Sequence, residues 1–205
     1  MRLAIFGAGG MGRELADIAG RCWDGPIIVV SDHPSTDAAM ALTTPLELAD
    51  SDAIVFAVGS GMLRKQLAER FASFAPATIV AASAIVSPAA TIGEGTIICD
   101  FSLVNHSTVI GRHVQLNCFS QVSHDCIIGD FVTFAPHVSC NGWVEIEAGV
   151  TVGAGAVIRN GSPDRRLHIG CGATIGMGAV VLGDVPAGII VAGVPARALA
   201  RTPLS

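Results

Sequence analysis

Basic residues are scarce in this sequence, and lysine occurs only once, as Lys65. The 12 lysines and arginines are outnumbered by 17 aspartates and glutamates, which gives a formal net charge of −5 at pH 7. Because cationic contacts with phosphates dominate nucleic-acid affinity, this balance argues against DNA or RNA as a partner. The sequence also has no run of 18 apolar residues, so we predict no membrane span.

We expect no signal peptide, and the sequence lacks the CxxC spacing of many metal and redox sites. Residues 1–6 lead straight into a glycine turn instead of a long apolar segment with a cleavage site. Several of the six cysteines, such as Cys126 and Cys140, fall at positions that we expect to face a core. We therefore predict reduced, core-facing cysteines in a cytoplasmic protein.

The dominant pattern that is present is a six-residue repeat from Val86 to Val185. An aliphatic or similarly apolar residue recurs every six positions as far as Ile158, and the register resumes at Ile169 after an insertion. A small or β-branched residue stands four positions after each of them. Neither an α-helix nor an alternating strand has this period, whereas a parallel β-helix does. We predict a triangular prism of roughly five coils, with residues 18 apart forming columns.

The residues before the repeat alternate between strands and helices. Strands are predicted at 2–6, 27–30, 53–58 and 78–81, and helices at 13–22, 45–49 and 62–74. This alternation predicts a truncated, doubly wound α/β unit. We expect a Rossmann-like domain at residues 1–82 and a β-helix domain with a C-terminal cap at residues 83–205.

A GxGxxG turn joins the first strand to the first helix. The candidates in it are Gly7, Gly9, Gly10, Met11 and Gly12. Glycines at this place let backbone amides approach a diphosphate at the helix N-terminus. The alternative is a tight connection that binds nothing. The glycine turn would be a single phosphate-binding cradle, and in such a short domain one cradle fits a nucleotide-sugar better than a whole dinucleotide.

Three candidate residues follow the next two strands. Asp32 ends the second strand about twenty residues after the glycine turn, where an acid suits a ribose hydroxyl. Gly59 belongs to a second glycine turn, and Arg64 lies near the start of the helix after it. Two such turns at the carboxyl ends of neighbouring strands favour a ligand in the crevice that they flank.

Two histidines, His106 and His124, lie 18 residues apart and are expected in one outward column of the prism. Asn105 and Ser123 would stack beside them, and Asp125 adjoins the second histidine. A carboxylate near an imidazole can hold one tautomer and keep the ring basic. The alternative is a pair of solvated surface histidines.

Residues 117–131 resemble the His-Asp/Glu-Cys-x-Ile-Gly-Asp/Glu-Phe signature of hexapeptide sugar acetyltransferases. That family includes sialic acid O-acetyltransferases and bacterial nucleotide-amino-sugar N-acetyltransferases. The glycine turn, the Ser87-Pro88 entry to the prism and the closing residues 193–197 are also similar. The resemblance implies a left-handed β-helix, acetyl-CoA as the acetyl donor, and a homotrimer with the donor between subunits.

The resemblance also assigns roles to residues. It makes His124 the general base and Asp125 the acid that orients it, and it places the glycine turn, Asp32 and Gly59 at the nucleotide-sugar. The remaining substrate candidates are Arg64, Asn105, His106 and Asn117. The donor candidates are Thr133, His137, Asn141, Gly142, Gly153, Ala154, Arg159, Arg165, Arg166 and Pro195. Many family members carry histidine where this chain has Met11 and Thr133.

The three donor-site arginines lie in the insertion, residues 159–168. Arginine suits bidentate contact with phosphate, so we expect them at the 3′-phosphate or pyrophosphate of coenzyme A; a solvated loop is the alternative. A backbone amide near Asn141 or Gly142 is the candidate oxyanion donor. Cys126 is rejected as a nucleophile because it faces inward, and a thioester needs no acyl-enzyme intermediate.

We therefore predict direct N-acetylation of a nucleotide-linked amino sugar, with no metal. A sugar or sialic acid hydroxyl is the alternative acceptor. A second alternative is a metalloenzyme similar to the γ-carbonic anhydrases, in which His113 or His137 of a neighbouring subunit would join His106 and His124. A third is a nucleotide-sugar binder without catalysis.

Overall fold

The computed structural model describes residues 1–33 and 42–199. Its front domain is a parallel sheet in the order β3-β2-β1-β4-β5. The strands are β1 (Leu3–Phe6), β2 (Ile27–Val30), β3 (Leu42–Thr43), β4 (Ala53–Phe56) and β5 (Ala75–Pro76). Helix α1 (Gly10–Ala19) follows β1, a 3₁₀ turn forms at Pro45–Glu47, and helix α2 (Gly61–Arg70) follows β4.

Both helices differ from their predicted bounds. Helix α1 begins inside the glycine turn because Gly10 already has helical backbone geometry. Helix α2 ends at Arg70, and Phe71 packs its ring against Phe6 at 5.3 Å between ring centroids. Phe71 is therefore a buried residue just after the helix, and the apolar pattern alone does not show that the helix has already ended.

The second domain is the predicted prism, built from two- and three-residue strands. In chain order they are β6 (Ile79–Val80), β7 (Ile85–Val86), β8 (Thr91–Ile92), β9 (Ile97–Ile98), β10 (Leu103–Val104), β11 (Val109–Ile110), β12 (Gln115–Leu116), β13 (Gln121–Val122), β14 (Ile127–Ile128), β15 (Thr133–Phe134), β16 (Ser139–Cys140), β17 (Val144–Ile146), β18 (Thr151–Val152), β19 (Val157–Ile158), β20 (Leu167–Ile169), β21 (Thr174–Ile175), β22 (Val180–Val181), β23 (Ile190–Ala192) and β24 (Arg197–Ala198).

These strands form three sheets. Sheet I contains β6, β9, β12, β15, β18, β21, β23 and β24; sheet II contains β7, β10, β13, β16, β19 and β22; sheet III contains β8, β11, β14, β17 and β20. Gln115 pairs with Ile97 and with Thr133, so partners are 18 residues apart as predicted. Glu145 pairs with His168 because the insertion adds five residues to that coil. The antiparallel pair β23–β24 closes the prism.

The prism core follows from the repeat. The residue at each six-residue mark is fully buried from Val104 to Val181, including Leu116 and Phe134. Hydroxyl residues at the small positions are buried too, and each donates to a carbonyl of the next turn, as Ser120 Oγ does to Ala135 O at 2.8 Å. A buried hydroxyl with a partner costs little, so serine and threonine fit positions where valine also fits.

The turns of the prism contain eight non-glycine residues with φ between 52° and 62°, which is the left-handed region. They are Phe101, Ser107, His113, Phe119, Asp125, Phe131, His137 and Trp143. Later coils place glycine there, as at Gly155 and Gly178. The left-handed conformation costs a non-glycine residue roughly 1–2 kcal/mol. The lower coils therefore carry outward side chains at positions where glycine would be less strained.

The front domain docks on sheet I, and Arg64 is the central contact. Its side chain is 1% exposed, and its guanidinium donates to five backbone carbonyls and to Gln115 Oε1 at 2.8–3.3 Å. Burial lowers its pKa to about 10, so it remains a cation at neutral pH. Arg64 joins the two domains and has no donor left for a substrate, which corrects its predicted role.

Thr133 is also part of this docking surface. Its side chain is 5% exposed, and its hydroxyl donates to Gly59 O at 2.9 Å. The donor contact predicted for Thr133 is therefore wrong, since the residue lies on sheet I beneath the front domain. An apolar cluster continues across the same surface from α1 to Ile97 and Cys99.

The cysteines are all unpaired thiols, but only three of the six are core residues. Cys99, Cys126 and Cys140 are buried, whereas Cys22 and Cys171 are exposed. The prediction of core cysteines was wrong for the two exposed residues because both lie in turns, outside the inward-facing marks of the repeat. In residues 1–33 and 42–199 no helix is long and apolar enough to cross a membrane.

Candidate active site

The predicted histidine column lies on the edge between sheets II and III. Register pairs Leu103 with Gln121, which places His106 and His124 at equivalent positions of stacked turns. Asp125 N donates to His106 O at 3.1 Å, so the two turns are hydrogen-bonded to each other. The His124 side chain is 56% exposed. The ring therefore points away from the prism axis, toward solvent.

His124 and Asp125 form a hydrogen-bonded pair. The distance from His124 Nδ1 to Asp125 Oδ2 is 2.8 Å. Because an ionised carboxylate only accepts, this contact assigns the ring proton to Nδ1 in the neutral imidazole. Nε2 then carries the lone pair, and a Cβ on Gly142 would fall 2.7 Å from it. The arrangement can remove a proton from a bound nucleophile.

Gly142 lies against the imidazole from the next coil. A Cβ at this position would fall 2.5 Å from His124 Cε1, so a larger residue cannot fit without moving the ring. Its amide N–H donates to no acceptor within the described ranges of the chain. A backbone N–H group that is not used within the fold is the kind of donor that oxyanion stabilisation uses.

Trp143 and Arg166, of which only the arginine was a candidate, complete this edge. The indole ring of Trp143 meets the His124 ring edge-on, at 6.4 Å between centroids and 81° between planes. The Arg166 guanidinium lies 5.1 Å from the indole centroid, and its Nη1 donates to Asp125 O. Sequence analysis missed Trp143 because one aromatic residue in a turn carries no periodic signal.

The insertion forms a small cavity of about 230 Å³ on the same edge, and all three of its arginines line it. Arg165 pairs with Asp184 at 3.0 Å, and Arg166 is held at Asp125. Within the described residues Arg159 has no carboxylate partner. Asn141, which was also predicted to contact acetyl-CoA, lies nearby, and its side-chain amide donates a hydrogen bond to Ile158 O at 2.8 Å.

The glycine turn has the tight geometry that its sequence predicts. Gly7 has φ 126°, and a Cβ on Gly12 would fall 1.8 Å from Gly7 O. Cβ atoms on Gly9, Gly10 or Gly59 would meet nothing within 4 Å, so the surface above these residues is open. Met11 packs partly against the apolar cluster beneath α1. The backbone of this turn, more than any side chain, is presented to a ligand.

Asp32 lies at the carboxyl end of β2 but is already paired. Arg70 donates to both of its carboxylate oxygens, at 2.6 and 2.7 Å. The hydrogen bond from Arg70 lowers the pKa of Asp32, which stays ionised at neutral pH. Arg70 also stacks on Phe71 at 4.7 Å. Sequence analysis did not identify Arg70, since its partner is 38 residues away.

Asn105 lies beside His106 on the His124 edge, whereas most of the other candidates lie on the edge between sheets I and II. This edge carries Asn117, His137, Gly153 and Ala154, and Pro195 lies in the cap. His137 stacks on Phe119 with 4.9 Å between ring centroids. Sheet II separates these residues from His124. The predicted substrate and donor residues therefore divide between two edges of one prism.

His113 lies on the third edge, between sheets III and I. Its ring is 6% exposed and stacks on Phe131 at 5.3 Å. Among the described residues its Nδ1 has no hydrogen-bond partner, and burial is the main cause that lowers the pKa of His113. His113, His137 and the His106–His124 column thus occupy three different edges of a single chain.

Known proteins with related sequences and structures agree with this fold. Residues 2–71 match the PglD N-terminal domain, and residues 107–142 match the bacterial transferase hexapeptide repeats. A segment of 76 residues is 58% identical to GDP-perosamine N-acetyltransferase of Escherichia coli O157:H7; it covers 37% of this chain and spans only 34% of that relative.

Two solved structures are similar over nearly the whole chain. WeeI from Acinetobacter baumannii AYE is 33% identical, with a TM-score of 0.90 over 97% of this chain and 100% of that one. The acetyltransferase domain of PglB from Neisseria gonorrhoeae FA1090, in complex with acetyl coenzyme A, is 29% identical with a TM-score of 0.88 over 97% and 98% of the two chains.

The fold is that of two-domain hexapeptide-repeat acetyltransferases, an α/β domain followed by a left-handed β-helix, as predicted. The chain belongs to the family of bacterial hexapeptide transferases with a PglD N-terminal domain.

Proposed function

We propose that this protein transfers the acetyl group of acetyl-CoA to the amino group of a nucleotide-linked sugar in the cytoplasm. The observation that carries the proposal is the exposed, hydrogen-bonded His124–Asp125 pair, with Gly142 of the next coil against the imidazole. A GDP-linked amino sugar is the first acceptor to test, since the E. coli relative is named for GDP-perosamine. Acetyl-CoA as donor agrees with the acetyl coenzyme A bound to the PglB domain.

The proposed reaction is a direct transfer. His124 Nε2 removes a proton as the sugar nitrogen attacks the thioester carbonyl, a step worth typically 10²- to 10⁴-fold. The Gly142 amide donates to the oxygen that becomes negative. The C–S bond then breaks, and the imidazolium returns its proton to the departing CoA thiolate. Cys126 takes no part, because its side chain is fully buried.

The proposed assembly is a homotrimer. His124 lies on the edge between sheets II and III, which is opposite sheet I and the glycine turn of the docked front domain. One chain therefore presents its base and its nucleotide-sugar cradle on opposite sides of the prism. A neighbouring copy would bring the two together, which supports a site between subunits.

The direct test is transfer itself. Purified protein would be incubated with acetyl-CoA and a panel of GDP- and UDP-amino sugars and sialic acid, with free thiol release and product mass as readouts. We expect thiol release with an amino sugar and a product that gains one acetyl group on nitrogen. Release with sialic acid alone would establish a hydroxyl acceptor instead, and tight sugar-nucleotide binding without any release would make the protein a non-catalytic binder.

Subunit complementation tests the shared site. His124→Ala removes the base, and Gly9→Trp places a large side chain on the cradle, at a position where a Cβ would meet nothing within 4 Å. Each variant alone should be inactive, whereas co-refolded mixtures should regain part of the activity because some sites combine two intact halves. Inactive mixtures with normal trimer mass would show that each chain uses its own base and cradle.

A further inference from the structure

The insertion is fixed in place over the histidine edge. Ser162 and Arg165 exchange backbone hydrogen bonds at 2.9 and 3.1 Å. Arg165 pairs with Asp184, whose other oxygen accepts from His168 N at 2.9 Å. A Cβ on Gly161 would fall 2.3 Å from Trp143 O, so the loop lies directly on the coil below. The loop is therefore a hydrogen-bonded brace, with Pro163, Asp164 and Arg165 exposed at its tip.

Arg166 connects this brace to the turn that contains His124 and Asp125. Asp125 adopts the left-handed conformation, with φ 58°, and its N–H donates to His106 O. Its carbonyl oxygen accepts from Arg166 Nη1. The equivalent carbonyl one coil above, Trp143 O, accepts from Leu167 N, the next residue of the same loop. Both polar backbone groups of Asp125 are therefore held.

Trp143 links the guanidinium to the imidazole. One face of the indole contacts Arg166, and the His124 ring meets the indole edge-on. A planar guanidinium can stack on a ring and donate in its own plane at the same time, which a lysine ammonium cannot do. Arg166, Trp143, His124 and Asp125 form a closed set of contacts on an otherwise exposed edge.

We propose that Arg166 and Trp143 are positioning residues, which hold the His124–Asp125 pair in its productive orientation, and that the insertion exists to deliver Arg166. The proposal rests on the acetyl transfer proposed above. A misplacement of about 1 Å can cost roughly 10²-fold in rate, so a base on an exposed turn gains from such bracing. The prediction that Arg166 contacts coenzyme A phosphate gives way to this role.

Steady-state kinetics separate positioning from phosphate binding. For Arg166→Ala we expect kcat to fall about 10- to 100-fold while the KM for acetyl-CoA stays within about twofold. Arg166→Lys should recover only part of the loss. The matched control is Arg112→Ala, an arginine of another prism turn that pairs with Asp130, and it should keep wild-type kinetics. A raised KM for acetyl-CoA at unchanged kcat would overturn the proposal.

Chemical rescue sharpens the result. Arg166 lines the cavity of about 230 Å³, so millimolar guanidinium can reach the place that Arg166→Ala vacates. We expect guanidinium to restore much of the kcat of this variant, ammonium to restore less, and neither to restore His124→Ala. Equal recovery with both ions would show that charge alone matters, against the stacking role.

If the wild-type protein transfers no acetyl group, the proposed function fails. The positioning role of Arg166 and Trp143 can still be tested by a measurement that needs no activity. Nitrogen-15 spectra of the histidine rings, assigned with His124→Ala, report which ring nitrogen carries the proton. In wild type the His124 proton should be at Nδ1, and in Arg166→Ala and Trp143→Leu the signal should broaden or shift toward a tautomer mixture. Unchanged His124 signals in both folded variants would overturn the proposal.

Discussion

Two histidines on different edges of the prism have different surroundings. His113 is covered by the front domain and stacked on Phe131, and among the described residues its Nδ1 has no partner. His124 is more than half exposed and shares a hydrogen bond with Asp125. The repeat supplies the same kind of turn to both. What differs is which edge the front domain covers.

This contrast shows that the histidine itself does not define the site. A base needs access to its substrate and a neighbour that stabilises its charged form, and only the open edge offers both. On the covered edge the carbonyl oxygens accept from Arg64, and burial makes a charged imidazole unfavourable. The same scaffold thus uses one edge for docking and another for chemistry.

The largest effect is expected on the open edge. His124→Ala should lower kcat by about 10²- to 10⁴-fold, because it removes the imidazole that takes the proton. Acetyl transfer measured by thiol release checks it, together with the thermal midpoint, which should not change. His113→Phe is the matched control and should retain transfer. Comparable losses of acetyl transfer from both substitutions would show that the two edges do not differ in function.

The covered edge should respond in stability instead. Arg64→Met leaves buried carbonyls without a donor and should destabilise the protein by about 3–5 kcal/mol. For a chain of this size the thermal midpoint would drop by roughly 10 °C. Lys65→Met, next to it on the exposed face of α2, serves as the control and should be nearly neutral. A stable Arg64→Met protein with weakened sugar-nucleotide binding would return Arg64 to the substrate site.

Gly142→Ala tests how closely the imidazole is confined. The added methyl would displace the His124 ring, so kcat should fall roughly 10- to 100-fold. Gly20→Ala, where a Cβ would make an ordinary contact at 3.4 Å, should leave kinetics unchanged. Wild-type kcat in Gly142→Ala would mean that the ring need not occupy its present position.

Asp125→Asn should have a smaller effect on transfer. The amide keeps the shape but can donate toward Nδ1, which favours the wrong tautomer. We expect kcat to fall about 10-fold, close to 1.4 kcal/mol, the value of one charge-assisted hydrogen bond. The pH–rate profile is the measurement, and an unchanged profile would remove Asp125 from the mechanism.

The smallest effect concerns pH and His113. Its pKa is lowered in the folded state, so the unfolded chain binds a proton first as the pH falls below about 6.5, and stability decreases until the lowered folded pKa is reached. His113→Phe should remove this contribution and flatten the acid side of the stability curve. Urea unfolding between pH 7 and pH 5 compares the two proteins; parallel curves would show that His113 is not the responsible group.

Much of the prism was predictable from the sequence because its information is local and periodic. The six-residue period predicts the coil, and an 18-residue column then places His106 beside His124. The insertion was recognised from the same register. Strand β2 was predicted to the residue because four apolar residues are flanked by turn formers.

What depends on contacts between distant segments was not predictable. Arg64 looked like a ligand residue because it follows a glycine turn, and only the docking of the front domain shows that its partners are carbonyls of the prism. Arg70 and Trp143 act through partners that no short pattern connects to them. The docking of the front domain determines which polar residues remain available to a ligand. No pattern in a single sequence shows how the domain docks.

The left-handed turn residues give the prism an unusual kind of modularity. Asp125 and Trp143 occupy matching places on successive coils, and higher coils have glycine at such places. Each of these turn positions can accept a new outward-facing side chain at a cost of roughly 1–2 kcal/mol, without a change in the core. Functional groups can accordingly be exchanged or moved along an edge in steps of about 4.8 Å, one rung at a time.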